Sequence, residues 1–156
     1  MYSNDLICDI LLYIDKNIND KISINDLTQQ FYYNRYYIMK LFKKEIGITI
    51  IDYVNSIRVY NSLKLLNESD SKMLNVALRN GFNSLEYFSE TFKKIVGLSP
   101  KKVLWYMKNN EKISQKDIKI ITAAYINLYD LMAKKERYLR NKKPGELPVK
   151  KLSIFK

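Results

Sequence analysis

The sequence predicts an all-α chain: one short supersecondary unit used twice, a long helix joining the copies, and an amphipathic helix behind them. Three observations predict it. Apolar residues recur every three or four positions along most of the chain, the spacing of a helix face. Only four glycines and three prolines occur in 156 residues, too few for a sheet protein rich in tight turns. A stretch near residue 42 returns near residue 92.

The elements follow in order. Leu6, Ile7, Ile10, Leu11, Tyr13, Ile14 and Ile18 mark a first helix from Asn4 to Ile18, with Ser3 or Asn4 to cap it. Ser23, with Asp26 three residues on, opens a short helix from Ile24 to Phe31. Tyr32 and Tyr33 interrupt, and Asn34 caps a third helix to Ile46, stopped by Gly47. Ile51, Val54, Ile57, Leu63, Leu65 and Leu66 give a long helix between Ile48 and Asn67. Ser71 opens a short helix from Lys72 to Asn80, ended by Gly81. Ser84 caps Leu85 to Val96, whose Glu86 and Glu90 suit the positive end of the helix dipole, and Gly97 ends it. Pro100 is placed for the first turn of a helix ending near Met107.

The repeat is concrete. Phe42-Lys43-Lys44-Glu45-Ile46-Gly47-Ile48-Thr49 matches Phe92-Lys93-Lys94-Ile95-Val96-Gly97-Leu98-Ser99 at an offset of 50, and Tyr37 and Ile38 match Tyr87 and Phe88. Each copy reads as short helix, tight turn, longer helix. That is a helix-turn-helix, whose second helix can enter a DNA major groove. Ile38, Leu41 and Phe42, and likewise Tyr87, Phe88 and Phe92, are expected in the core.

Composition excludes several classes. There is no histidine, which removes His-dependent base catalysis and most zinc ligand sets. The single Cys8 lies in an apolar helical pattern and reads as a buried small residue. Glu86 and Glu90 read as solvated surface rather than as a catalytic pair. No metal, cofactor or enzymatic activity is expected. No apolar run is long enough to span a membrane, and residues 1–5 do not open a secretory signal, so a cytoplasmic location and no membrane partner are expected.

The net charge of +11 points to a polyanionic partner. It is unevenly spread: residues 1–107 carry 14 basic and 11 acidic side chains, whereas residues 108–156 carry 13 and 5. DNA binding by the first part must therefore be argued from pattern rather than from bulk charge.

That pattern resembles the AraC/XylS family of bacterial transcription regulators. The residues that carry the resemblance are Gly81-Phe82, Tyr87-Phe88, Phe92-Lys93 and Gly97-Leu98-Ser99-Pro100. Arg58-Val59, Ser62, Leu65-Leu66, Met73 and Val76-Ala77 support it. The resemblance covers about residues 5–107. It implies a small member without the larger N-terminal sensing domain, binding double-stranded DNA as a monomer and probing two major-groove segments. A long helix of about 18 residues spans ~27 Å, against roughly 34 Å for one duplex turn. The resemblance places Asn34, Arg35, Tyr36, Met39 and Lys40 of the first unit at base edges, with Asn83, Ser84, Leu85, Glu86, Ser89 and Glu90 as their counterparts. Lys43, Lys44, Lys93, Lys94, Lys101 and Lys102 are the candidates for phosphate contact, together with the helix-start amides. Arg58 is expected to pair with an acidic side chain inside the domain. By family analogy the protein is an activator, with RNA polymerase an open candidate partner. The competing reading is a protein-interaction module with little base readout, which Glu86 and Glu90 favour.

Residues 108–156 lie outside the resemblance and form a separate extension. Ser114 to Asp117 resembles a capping box. Ile118, Ile121, Tyr125, Leu128 and Met132 then stripe one face of a helix over about residues 115–140. The stripe is expected to pack on the domain or on a partner. Lys134, Lys135, Arg137, Arg140, Lys142 and Lys143 form a basic cluster suited to phosphate. After Pro144-Gly145 the last eleven residues are expected to be extended or mobile.

Overall fold

The computed structural model describes residues 2–68, 72–109 and 112–141. Among them the secondary structure is entirely helical: α1 (Tyr2–Lys16), α2 (Ile24–Phe31), α3 (Arg35–Ile46), α4 (Ile50–Asn67), α5 (Met73–Arg79), α6 (Leu85–Val96), α7 (Pro100–Asn109) and α8 (Gln115–Arg140).

Local chemistry sets most of these ends. Ser23 and Asp26 form a reciprocal capping box at α2, which satisfies two otherwise orphaned amides. Asn34 caps α3 and Ser84 caps α6 through their side-chain oxygens. Gly47 and Gly97 end those helices in the left-handed region, at φ 96° and 90°. Several ends differ from the sequence expectation. α1 begins at Tyr2, so Ser3 and Asn4 lie inside the helix rather than capping it, and α5 ends at Arg79 rather than Asn80. Asn17 donates its side-chain amide to the Tyr13 carbonyl at 2.8 Å, so α1 closes at Lys16 rather than Ile18. Thr49 caps the Asp52 amide, so α4 starts at Ile50 rather than Ile48. Lys72 stands before α5 without a side-chain cap, and Ser71 lies outside the described residues. The Asn109 amide caps the Trp105 carbonyl, carrying α7 past Met107.

Two apolar cores result. The first gathers Ile7, Ile10, Leu11, Ile14, Leu27, Ile38 and Phe42 from α1, α2 and α3 around the start of α4. The second gathers Val59, Val76, Phe82, Phe88, Phe92 and Val103 around its end. Phe82, Phe88 and Phe92 meet edge to face, with centroids 5.1 and 5.6 Å apart, an arrangement that suits aromatic quadrupoles. α4 serves both cores, and its middle from Tyr53 to Val59 is buried on every side. One polar cost is visible there: the Tyr53 hydroxyl is fully buried with no hydrogen-bond partner. Burial, with the nearby Asp15 charge, pushes its pKa well above the usual phenol range.

Arg58 has a structural role, but with a different partner from the one expected. Its guanidinium donates to the Ile18 carbonyl at 2.8 Å and the Asp20 carbonyl at 2.6 Å. A buried cation thereby ties the α1–α2 turn to the middle of α4.

α8 packs against α1, α4 and α6, so it spans both units. Ile120 and Ile121 join the second core, while Leu131, Met132 and Tyr138 join the first. Part of the basic cluster is consumed in this docking. Lys134 donates to the Ile46 carbonyl at 3.0 Å, where the negative end of α3 favours a cation. Lys135 pairs with Asp15 at 2.8 Å. Tyr138 donates to Glu45 at 2.8 Å, and the Cys8 thiol donates to the Tyr138 carbonyl at 3.1 Å. Cys8 is buried, as expected. Lys142, Lys143 and the last eleven residues lie outside the described residues.

Candidate nucleic-acid interface

α3 presents the first candidate surface. Its apolar flank, Ile38, Leu41 and Phe42, is held in the core. The opposite face is turned to solvent and carries Arg35, Tyr36, Met39 and Lys40, with Asn34 at its start. Asn34 Oδ1 accepts from the Tyr36 amide at 2.8 Å, fixing the first turn. The Lys40 ammonium sits 5.7 Å from the Tyr36 ring centroid, a cation–π spacing that orders two long side chains together. Lys43 and Lys44 are exposed in the last turn.

The structure adds aromatic surface that sequence reading did not single out. Tyr33 and Tyr37 are exposed and stack at 5.4 Å beside Tyr36. Tyr32, 77% exposed, is the only non-glycine at positive φ among the described residues. Left-handed backbone costs such a side chain about 1–2 kcal/mol. The signal was four tyrosines within residues 32–37, around a predicted cap.

α6 presents the matching surface with different chemistry. Asn83, Glu86 and Glu90 are exposed, while Ser84 and Ser89 are half-buried. The Ser84 hydroxyl accepts from the Tyr87 amide at 3.1 Å. Leu85 is half-buried against the second core, so part of its side chain is unavailable to a base. Tyr87, expected in the core, is 45% exposed. Its hydroxyl instead accepts from the Asn55 amide of α4 at 2.9 Å, linking α6 to the long helix.

The candidate phosphate lysines also divide. Lys93, Lys94 and Lys101 are exposed. Lys102 lies 3.2 Å from Asp117 at the start of α8. The Asp117 carboxyl also accepts from the Tyr106 hydroxyl, and those two partners, the hydroxyl first, hold its pKa below the usual carboxylate value. Electrostatically, the exposed positions named on α3 carry Arg35, Lys40, Lys43 and Lys44. Those on α6 carry Glu86 and Glu90 against Lys93 and Lys94. The first surface attracts a polyanion; the second is balanced. Among the described residues no helix is long and apolar enough to cross a membrane.

Comparison with known proteins finds relatives of the two-unit domain. A family profile described as a helix-turn-helix domain matches residues 27–104, half of the chain. The transcriptional activator AarP of Providencia stuartii is 26% identical over 99 residues, covering 64% of this chain and 73% of its own length. The transcriptional regulatory protein HptR of Staphylococcus aureus is 34% identical over 99 residues, 64% of this chain but 39% of HptR. The chain thus spans well under half of some relatives it matches. Among solved structures, the DNA-binding domain of AdpA, crystallised with a target DNA, superposes with a TM-score of 0.60. It covers 68% of this chain and 97% of that domain at 19% identity, a likeness of fold.

Proposed function

This chain belongs to the AraC-type helix-turn-helix family of transcription regulators, and from that premise we propose that it acts as a sequence-specific DNA-binding activator. In this reading one monomer lays α3 and α6 in successive major-groove segments of duplex DNA, without a membrane or cofactor and in a cytoplasmic setting. The observation that carries it is the duplication itself. Two helices 50 residues apart are capped alike by Asn34 and Ser84, stopped alike by Gly47 and Gly97, and turned so that equivalent faces meet solvent.

The two surfaces divide the work. α3 supplies attraction and readout: Arg35 and Lys40 donate to guanine, and Tyr36 and Met39 touch thymine methyls. Lys43 and Lys44 hold phosphate and set position. On α6, Glu86 and Glu90 repel phosphate but accept from a cytosine amino group, so that helix selects more than it attracts. Activation extends this reading by likeness to the activator AarP, and RNA polymerase is then the candidate partner.

In vitro selection of random duplexes by the purified chain at physiological salt tests it. Two enriched blocks one helical turn apart are expected. One block would confine base reading to α3. Salt-sensitive retention without enrichment would instead favour a protein-interaction module, the reading to which the exposed Glu86 and Glu90 lend support.

A further inference from the structure

Where the two units meet α8, the surface opens into a cleft of about 730 Å³. We propose that this cleft is a binding site for a small organic cation with an apolar body, and that its occupancy is coupled to the DNA-facing helix α6.

The volume falls in the range of ordinary ligand pockets, roughly 300–1,000 Å³. Ile48, Ile95, Leu128 and Leu131 give the cleft an apolar wall. Two hydroxyl-bearing residues line it, Ser56 from α4 and Thr91 from α6. They are only 7% and 8% exposed, and neither hydroxyl has a hydrogen-bond partner among the described residues. A ligand ammonium or hydroxyl in the cleft would have both as acceptors.

The charge around the cleft selects the sign of the ligand. Asp52, Glu90 and Asp130 face it from α4, α6 and α8. Lys94 and Lys134 stand against these three carboxylates, the latter turned to the Ile46 carbonyl, so the carboxylates keep one charge in excess. Within a chain of net charge +11 this is a locally negative hollow. An amine seated against Ser56 and Thr91 would have carboxylates on three sides and the aliphatic wall beneath its body. Because the same occupant touches α4, α6 and α8, it locks the angle at which the second unit stands to the first. Glu90 lies on both the cleft rim and the candidate base-reading face. The coupling rests on the DNA-binding reading; the site itself does not.

The binding test therefore contains no DNA. The full chain, labelled with ¹⁵N, is titrated with phenethylamine, 2-phenylethanol and 3-phenylpropionate, which share a ring and differ in charge. Saturable shifts at the Ser56, Thr91 and Asn127 amides are expected for the amine, weaker ones for the alcohol and none for the acid. Asp130 is exposed, so Asp130→Asn keeps the fold; it should weaken the amine roughly threefold and leave the alcohol unchanged. No saturable shift at those amides with any of the three probes overturns the site, and an acid that binds as well as the amine overturns its cation selectivity. With the site established, saturating amine is expected to change affinity for the selected duplex at least twofold; an unchanged affinity overturns the coupling.

Discussion

Gly47 and Gly97 occupy equivalent places in the repeat, yet replacing them should have unequal consequences. Both glycines end a recognition-type helix at φ near 90°, so alanine at either position forces left-handed backbone, costing about 1–2 kcal/mol. Beyond that the sites diverge. A Cβ at Gly47 would meet only the Lys134 ammonium nitrogen at 3.7 Å, ordinary contact with the end of a flexible chain. A Cβ at Gly97 would fall 2.4 Å from Cγ2 of Ile120. That methyl is held on a β-branched side chain whose rotamer is restricted within α8, so the helix must shift. Overpacking of this kind costs about 1–3 kcal/mol. Gly97→Ala should therefore destabilise the protein by about 2–5 kcal/mol and Gly47→Ala by about 1–2. Urea unfolding resolves the gap, since slopes of about 1–3 kcal/mol per molar turn it into a midpoint difference near 1 M. Adding Ile120→Ala to Gly97→Ala should recover part of the loss, as a coupling of about 1–2 kcal/mol in a double-mutant cycle. Equal midpoints for the two glycine variants would show that α8 does not dock where described.

Three further outcomes are expected. Tyr53→Phe removes a buried hydroxyl without a partner and should raise the urea-derived stability by about 1 kcal/mol, whereas a loss would reveal an unseen bonding role. Tyr138 is pushed up to about 12, first by burial and then by donating to Glu45, so its contribution is intact below pH 10 and fades as pH rises toward 12. Amide signals along α8 should report an alkaline release in that window that is absent from Tyr138→Phe. Arg35→Ala should cost about 1–3 kcal/mol and relax preference at one base position, whereas Lys43→Ala should weaken all duplexes alike and lower the log–log salt slope by about 0.9. Identical salt slopes for wild type and Lys43→Ala would remove that lysine from the backbone contact.

Much of this fold was legible because it is written locally. A cap such as Ser23, Asn34, Ser84 or Ser114 acts within three residues, and Gly47, Gly81 and Gly97 act at a single φ. The span of α8 followed from the same local logic. What sequence could not supply were partners at long range. Arg58 meets carbonyls 38 and 40 residues away, not a carboxylate, because the α1–α2 turn happens to present them. Lys134 and Lys135 look like part of a solvated basic run until α8 docks across the C-terminal end of α3 and beside Asp15. An aromatic beside Phe88 reads as core, but the Tyr87 hydroxyl that reaches Asn55 favours the half-exposed flank. For the interface, the exposed face of α3 followed from periodicity together with the family resemblance. The aromatic cluster around Tyr33 and Tyr37 needed three dimensions to be seen.

The duplication is a tandem one in sequence, and its copies have diverged in charge, the exposed face of α3 being basic and that of α6 balanced. A symmetric pair of helix-turn-helix units reads a palindrome and looks the same from either end. Two units in tandem, one basic and one balanced in charge, give the molecule a head and a tail. On the proposed function its site would have a direction, so inverting that site within a promoter would reverse which flank of the protein faces the start of transcription while leaving affinity unchanged.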